Sequence, residues 1–506
     1  MAGRIMLSIE LETLKIHIAD PKLASLDLRV RVQRALRQLI LNGVLAPGCR
    51  LPATRTLSQS LSVSRDTVEM AYVQLQLDGY ICRREGSGSF VSDKLGAGLL
   101  GTRKRHGSLS AALRPKAAPP AALSRRGADI LANGGVSDQQ VVKAFATGLP
   151  ETRTFPVETW ERLQRQAFKD CRSSVLLHGD PQGAEPLRQA IADYLNLERG
   201  ARVTADQVLV LTSTRQALFL CAQVLADANQ PILMEDPGYF GARKAFEMAQ
   251  LKIVPIPVDE KGLRTDRLRA DRSGANTIYV TPSHQYPTGA TLALERRLEL
   301  TAWAAERQGW IIEDDYDSQF HYEGLPTACV QGLDTFQRTI YLGTFSKSLY
   351  PGLRMGYMVL PHELVKPMTY ARSILDGHTP QIAQLTLARF MDAGHFGAHV
   401  RSMRKIYAVR REAMAHAVQR HLSGIVTAHL PPGGLQMPCL LAEGWSEQDT
   451  IRQAARAGIQ LPGLSRLYAR PPAAGGWLLG FAALTPHEID TATRRLAKAI
   501  AQPFAA

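Results

Sequence analysis

The chain has 506 residues, 45% of them hydrophobic and 21% charged, which gives roughly three domains' worth of chain and excludes wholesale disorder. No run approaches the ~18 apolar residues of a membrane helix, and a start containing Glu10 and Glu12 lacks a secretory signal pattern. The six cysteines (Cys49, Cys82, Cys171, Cys221, Cys329 and Cys439) are scattered without a C-x-x-C pair, against a disulfide framework or zinc module and in keeping with a reduced, cytoplasmic protein.

The net charge of +14 is unevenly spread. Residues 1–130 hold 20 Lys/Arg against 10 Asp/Glu, while the other 376 hold 40 against 36. A basic quarter on a near-neutral bulk suggests a polyanion-binding module. Within it, apolar residues at helical spacing predict a helix over 26–44, broken by Pro47-Gly48. A short helix follows over Thr54–Leu61, then a turn in which Ser64 caps a third helix from Arg65 to Asp78. Tyr80–Arg84 and Ser89–Val91 flank the glycine-containing turn 85–88 as a hairpin. Three helices and a hairpin make a winged helix-turn-helix, expected over 1–92.

Residues 93–132 are rich in small residues, Pro119-Pro120 and eight basic side chains, and read as a flexible basic linker. From 133 to 506 apolar runs alternate with helical patterns, the runs being 207–211, 231–234, 251–257, 277–280, 310–312, 339–342 and 355–360. Such alternation predicts an α/β domain with a mainly parallel sheet covered on both faces, its large part about 185–370. The remainder, about 371–506, turns helical with β-rich patches near 433–441 and 477–481, a smaller α+β part.

In a helix-turn-helix the N-terminal residues of the second helix meet base edges. Here Ser64, Arg65 and Thr67 stand there, with Arg65 suited to guanine and Thr67 to a hydroxyl or methyl contact. Arg55 on the preceding helix reaches a phosphate or base, and Arg83 and Arg84 on the wing, with Gly86 and Gly88 permitting close approach, suit phosphate or minor-groove contact. The segments "GCRLPATRTLSQSLSVSRDTVEMAYVQLQLDGY" and "REGSGSFV" resemble the GntR-type winged helix-turn-helix, with Ala53 where that family often has Ser. A double-stranded DNA operator is the partner this implies.

In open parallel sheets ligands sit beyond the carboxyl ends of the strands. Those ends carry Thr212–Gln216 opening a helix, Thr281–Gly289, Glu313–Asp317, and Gly343–Lys347. A lysine after a Ser-containing loop, an upstream carboxylate and a hydroxyl-rich helix start are what pyridoxal 5'-phosphate requires: a Schiff-base amine, a partner for the pyridinium nitrogen and a phosphate seat. The motifs "HGDPQGAEPLRQAIADYL", "EDPGYFGARKAFE", "TPSHQYPTG", "IIEDDYDSQFHY" and "GTFSKSLYPGLRMGY" resemble fold-type I aminotransferases. With the N-terminal module the whole chain resembles the MocR-type branch of GntR regulators. That resemblance implies Lys347 as the Schiff-base lysine, Asp314 for the pyridinium nitrogen and Tyr316 for the ring hydroxyl. It implies Ser213, Thr214 and Arg215 for the phosphate with Ser346 and Arg354 nearby, and Tyr239 against the ring face.

Three departures from the enzyme pattern stand out. Ser213 replaces a common Gly in the phosphate loop, Tyr286 stands in place of the asparagine of "NPTG", and Leu478 stands where many aminotransferases carry the arginine that pairs with the substrate α-carboxylate. Losing a bidentate carboxylate clamp costs recognition; Arg404 and Arg470 are the arginines considered as substitutes. The expected function is therefore a homodimeric transcriptional regulator sensing pyridoxal phosphate or an amine effector. The competing reading is a working aminotransferase with an accessory DNA-binding domain.

Overall fold

Two folding patterns meet in this chain, and contacts divide it into two units, residues 1–121 and 122–506. The structure is a computed structural model that describes residues 8–20, 23–84, 86–93, 123–136, 141–323, 327–470, 472 and 474–501.

In the first unit the helices are α1 (Ser8–Ile18), α2 (Leu28–Leu41), α3 (Thr54–Leu61) and α4 (Arg65–Leu77). Asp27 caps α2 and Ser64 caps α4, the latter accepting the Thr67 N–H at 3.1 Å. Their apolar faces meet in one core of Val32, Leu36, Leu39, Leu57, Val68, Tyr72 and Leu75. Strands β1 (Ile81–Arg84) and β2 (Gly88–Val91) pair antiparallel, and a single bridge from Arg50 to Phe90 adds a third edge to the wing. Helix α1 is an addition to the expected elements. It buries Leu14 and is held by the Arg31 guanidinium on the Ile18 carbonyl.

The expected linker falls largely outside the described residues, but its end is helical rather than irregular. Helix α5 (Arg125–Asn133) is capped by Ser124, which accepts the Gly127 N–H at 3.1 Å. Beyond it lie α6 (Val157–Asp170), α7 (Glu185–Arg199), α8 (Thr214–Leu225), α9 (Phe240–Met248), α10 (Thr265–Ala270), α11 (Leu294–Glu306) and α12 (Val330–Leu333). An eight-stranded sheet runs through this part. Its strands are β3 (Val208–Leu211), β4 (Pro231–Asp236), β5 (Lys252–Asp259), β6 (Gly262–Leu263), β7 (Thr277–Val280), β8 (Trp310–Asp315), β9 (Thr339–Thr344) and β10 (Gly356–Val359).

The order is β3-β10-β9-β8-β7-β4-β5-β6. The block β9-β8-β7-β4-β5 is parallel, whereas β10 runs antiparallel to both β3 and β9, so the sheet is mixed. Alternate residues face opposite cores, as period-2 strands require. Leu209, Ile312 and Leu342 join α8 and α9 on one face; Val210 and Tyr341 on the other join α7, and Ile278 and Ile311 join α11.

The chain then runs helical through α13 (His362–Asp376), α14 (Gln381–Asp392) and α15 (His395–His421). A three-stranded antiparallel sheet of β11 (Val426–Ala428), β12 (Gln436–Leu441) and β13 (Gly476–Gly480) follows, packed with α16 (Glu447–Arg456) and α17 (Pro486–Ile500). No helix among the described residues is long and apolar enough to cross a membrane.

Candidate functional sites

On the first unit, Arg55 and Arg65 are exposed at the starts of α3 and α4, and their guanidinium groups make no hydrogen bond or ion pair among the described residues. Ser64 and Thr67 are committed to each other, with their hydroxyls 2.7 Å apart. Thr67 can therefore offer its methyl more freely than its hydroxyl. The wing arginines are also engaged: Arg83 meets Glu69 of α4 at 2.6 Å, and Arg84 meets Asp93 at 3.3 Å and lies over the Phe90 ring. Gly86 and Gly88 have φ of 69° and 107°, the left-handed region that a tight, approachable tip needs. Arg83 thus ties wing to recognition helix, a role the sequence did not suggest.

In the second unit the parallel strands bring four loops to one edge. Lys347 follows β9 and donates to the Gly148 carbonyl at 2.6 Å. Gly148 has φ of 68°, and a Cβ there would lie 2.6 Å from the Lys347 Nζ. Only glycine leaves the lysine room. Asp314 is the penultimate residue of β8, 3% exposed; its Oδ2 accepts the Tyr279 hydroxyl at 2.8 Å, while its Oδ1 is buried with no partner among the described residues. Burial pushes its pKa up to about 7, opposed by the Tyr279 bond, raised further by Asp315 and Asp317 and eased by Lys347. A buried acceptor lacking a donor is costly unless something supplies the proton. An aromatic N–H⁺ of a bound ring fits that need.

The same edge is rich in carboxylates; each has a fixed counterpart on one oxygen, while Glu235 Oε1, Asp315 Oδ1 and Asp317 Oδ2 are, like Asp314 Oδ1, buried without a partner among the described residues. Asp315 pairs with Arg199 at 3.0 Å and accepts the Tyr341 hydroxyl at 2.6 Å. Asp317 meets His284 Nδ1 at 2.8 Å. Glu235, at the end of β4, accepts from Thr281 Oγ1 at 2.6 Å and Gln285 Nε2 at 3.3 Å, so it ties the loop after β7 to its own strand. Burial pushes Glu235 up to about 7 against those bonds.

This stitching sets three aromatic rings side by side. Tyr239 and Tyr286 are 5.6 Å apart and Tyr286 and Tyr316 6.1 Å, both edge-to-face. The Tyr239 ring folds back over Gly241, where a Cβ would come within 2.4 Å of it. Tyr316 donates to the His284 carbonyl at 3.0 Å.

Ser213 caps α8, its Oγ accepting the Gln216 N–H at 3.2 Å, so the amides of Thr214 and Arg215 form the open end of that helix. Because β10 is antiparallel, its first residue, Gly356, sits between Leu211 and Thr344 and within 3.6 Å of the Ser213 backbone when its Cβ is built. Arg354, two residues earlier, is thereby carried toward the same helix end, exposed and without an ion pair among the described residues. Ser346 precedes Lys347, its N–H donating to Thr344 Oγ1 at 3.1 Å. Helix end, hydroxyls and arginine together suit a phosphate.

Leu478 is 1% exposed and packs with Leu464, Leu467, Phe240, Tyr468 and Tyr286. The side chains packed around Leu478 are apolar, although the Arg466 charge lies close enough to act on the Tyr286 hydroxyl. Arg404 has its Nε engaged, donating to the Gln319 carbonyl at 3.0 Å. The loop bearing Leu467 is held to the Tyr239 segment by Gly238 N–H and Arg243 on the Leu467 carbonyl, at 3.0 and 3.2 Å. Gly148 and Tyr279 were missed from sequence, each acting through a partner distant along the chain; Glu235 and Gln285 stand inside the motifs EDPGYFGARKAFE and TPSHQYPTG, but the bond between them was not legible there.

Two family models match. Residues 28–91 match bacterial regulatory proteins of the gntR family, and residues 145–496 match aminotransferase class I and II. The chain is similar to a probable rhizopine catabolism regulatory protein, MocR, of Rhizobium meliloti, 34% identical over 92% of each chain. It is also similar to the pyridoxine biosynthesis transcriptional regulator PdxR of Corynebacterium glutamicum, 31% identical over 90% of this chain and 91% of that one. Among solved structures, a kynurenine aminotransferase of Pyrococcus horikoshii in complex with PMP covers 72% of this chain and 93% of its own at 27% identity, with a TM-score of 0.67. An α-aminoadipate aminotransferase of Thermus thermophilus, complexed with a phosphopyridoxyl-leucine, covers 71% and 92% at 28% identity, TM-score 0.66.

Proposed function

The chain belongs to the gntR family of DNA-binding transcriptional regulators, in the MocR-type branch that adds an aminotransferase class I and II domain, and from that premise we propose that its second unit holds pyridoxal 5'-phosphate and senses the cofactor or an amine that reacts with it. The unpartnered, buried Oδ1 of Asp314 supports the cofactor. Bound there, the cofactor supplies a carbonyl with which primary amines condense. Lys347 provides the amine that ties it to the chain, and Asp314 keeps a proton on the ring nitrogen. Tyr239 serves the ring face, Tyr316 and Tyr286 the ring hydroxyl, and Ser213, Thr214, Arg215, Ser346 and Arg354 the phosphate.

The observation that carries sensing over turnover is the apolar wall at Leu478. An amino acid turned over must hold its Cα–H toward the lysine, and a carboxylate clamp does that orienting; without it, misplacement costs on the order of 10²-fold. We place the working form in the cytoplasm as a homodimer, to which exposed Leu176, Leu177 and Ile374, at 68%, 71% and 86%, offer apolar surface. The test pairs a steady-state assay over amino acids and 2-oxo acids with DNA binding measured with and without pyridoxal phosphate. DNA affinity is expected to move with the cofactor while turnover stays below the ~1 s⁻¹ of a slow ordinary enzyme. Turnover in the ordinary range with indifferent DNA binding establishes the aminotransferase reading instead.

At the DNA, Arg65 is the base-reading residue. Arg65→Ala is expected to cost about 1–3 kcal/mol at the specific site and much less on random sequence, read by fluorescence anisotropy on both duplexes. Equal losses on the two make Arg65 a backbone contact.

A further inference from the structure

The wing of the DNA-reading unit carries a further cation, Arg50, at the start of the quoted segment. Arg50 lies just before α3, and its bridge to Phe90, together with the Leu51 N–H on the Ser89 carbonyl at 2.9 Å and the Val91 N–H on the Cys49 carbonyl at 2.9 Å, makes residues 49–51 a third edge of the wing sheet. The side chain is exposed, and one edge of its guanidinium lies against the wing tip: a Cβ built on Gly88 would sit 3.4 Å from Nε and 3.5 Å from one terminal nitrogen. It has no hydrogen bond or ion pair among the described residues. Arg83 and Arg84, the wing arginines of the motif, each have a carboxylate already. Arg50 also lines a concavity of about 880 Å³ whose other walls include Thr54 and Thr56 of α3, Glu69 of α4 and Gly86. A groove bounded by both helices of the helix-turn-helix and by the wing is where a duplex backbone passes.

We propose that Arg50 is a backbone-phosphate contact of the DNA-reading unit, the wing's available cation, held in place by its strand pairing and by the glycine at 88. Arg83 and Arg84 must exchange an existing ion pair for a phosphate, an exchange worth little at an exposed site. Among the described residues Arg50 has no ion pair to exchange. The side chain crosses no core, so its removal leaves the fold intact.

The experiment titrates full-length wild type, Arg50→Ala and Arg50→Lys against a random-sequence 30-base-pair duplex and an A-tract duplex, at several salt concentrations. Removing one phosphate contact lowers the slope of log affinity against log salt by about 0.9, so the affinity ratio between 50 and 200 mM salt shrinks about 3.5-fold. Arg50→Ala is expected to show that change on both duplexes, and Arg50→Lys to retain most of the wild-type slope, because a phosphate accepts a point charge. An unchanged slope in Arg50→Ala, with the same thermal melt as wild type, overturns the assignment. A loss confined to the A-tract duplex overturns it equally, since that marks minor-groove readout.

Discussion

Lys347→Ala is expected to abolish covalent retention of pyridoxal phosphate: borohydride treatment followed by mass spectrometry leaves wild type with one added cofactor mass and the variant with none. The expectation rests on placement. Lys347 is the lysine at the end of β9, held by the Gly148 carbonyl at 2.6 Å against a glycine that tolerates no side chain. The same substitution removes the cation that eases ionisation of Asp314 and Asp317, so both carboxyls move further up and reversible cofactor binding weakens as well. Lys347→Arg separates the two effects. It restores a positive charge and a donor for Gly148 but cannot condense with an aldehyde, so it is expected to recover part of the reversible affinity and none of the borohydride-fixed mass. In both variants DNA binding stops responding to amines while retaining its basal strength. A fixed cofactor mass in Lys347→Ala reassigns the chemistry to another lysine.

Much of this site was legible before any fold was known, for a physical reason. Strands buried on both faces read as apolar runs, and the parallel rule then puts whatever follows them at one edge. Thus Lys347, Asp314, Tyr286 and Ser213 could be grouped from runs such as 310–312 and 339–342 alone. The orientation of β10 was not legible, because a strand buried on both faces looks the same in either direction; yet that reversal is what carries Arg354 toward α8. Nor were the long-range partners. Gly148 lies 199 residues from the lysine it positions, and Leu478 touches Tyr286 only through the packing of a separate loop. Helix α1 stayed hidden because Ile9, Leu11, Leu14, Ile16 and Ile18 follow neither period cleanly, and it is Arg31 on the Ile18 carbonyl that docks it. The Ser64 cap was readable; that its partner Thr67 thereby loses a free hydroxyl was not.

Asp314→Asn is expected to move stability and cofactor binding in opposite directions. In the cofactor-free chain Asp314 is 3% exposed, and burial, only partly offset by the Tyr279 hydroxyl, pushes its pKa up from the ordinary 3.8 to about 7. A folded-state pKa above the unfolded one means the folded chain binds the proton more tightly. The corresponding stability is fully present below about pH 4 and is lost as pH rises through about 7. At about 1.4 kcal/mol per pKa unit, that loss amounts to roughly 4 kcal/mol by pH 8. Asparagine keeps an acceptor for Tyr279 and has no charge to desolvate. The cofactor-free variant should therefore match wild type below about pH 4, melt progressively higher than it as pH rises to about 7, and keep that margin at pH 8. A residual slope remains in both, because Glu235 and Glu313 are also pushed up to about 7 by burial. Cofactor binding goes the other way. The neutral amide loses a charge-assisted bond to the ring nitrogen, worth about 1.5–3 kcal/mol, and equilibrium dialysis at pH 8 should show affinity falling about 10- to 100-fold. The site thus keeps a carboxylate that weakens the empty fold at neutral pH because the bound ring needs it. A variant with wild-type affinity and an unchanged pH dependence of melting would remove Asp314 from the cofactor site.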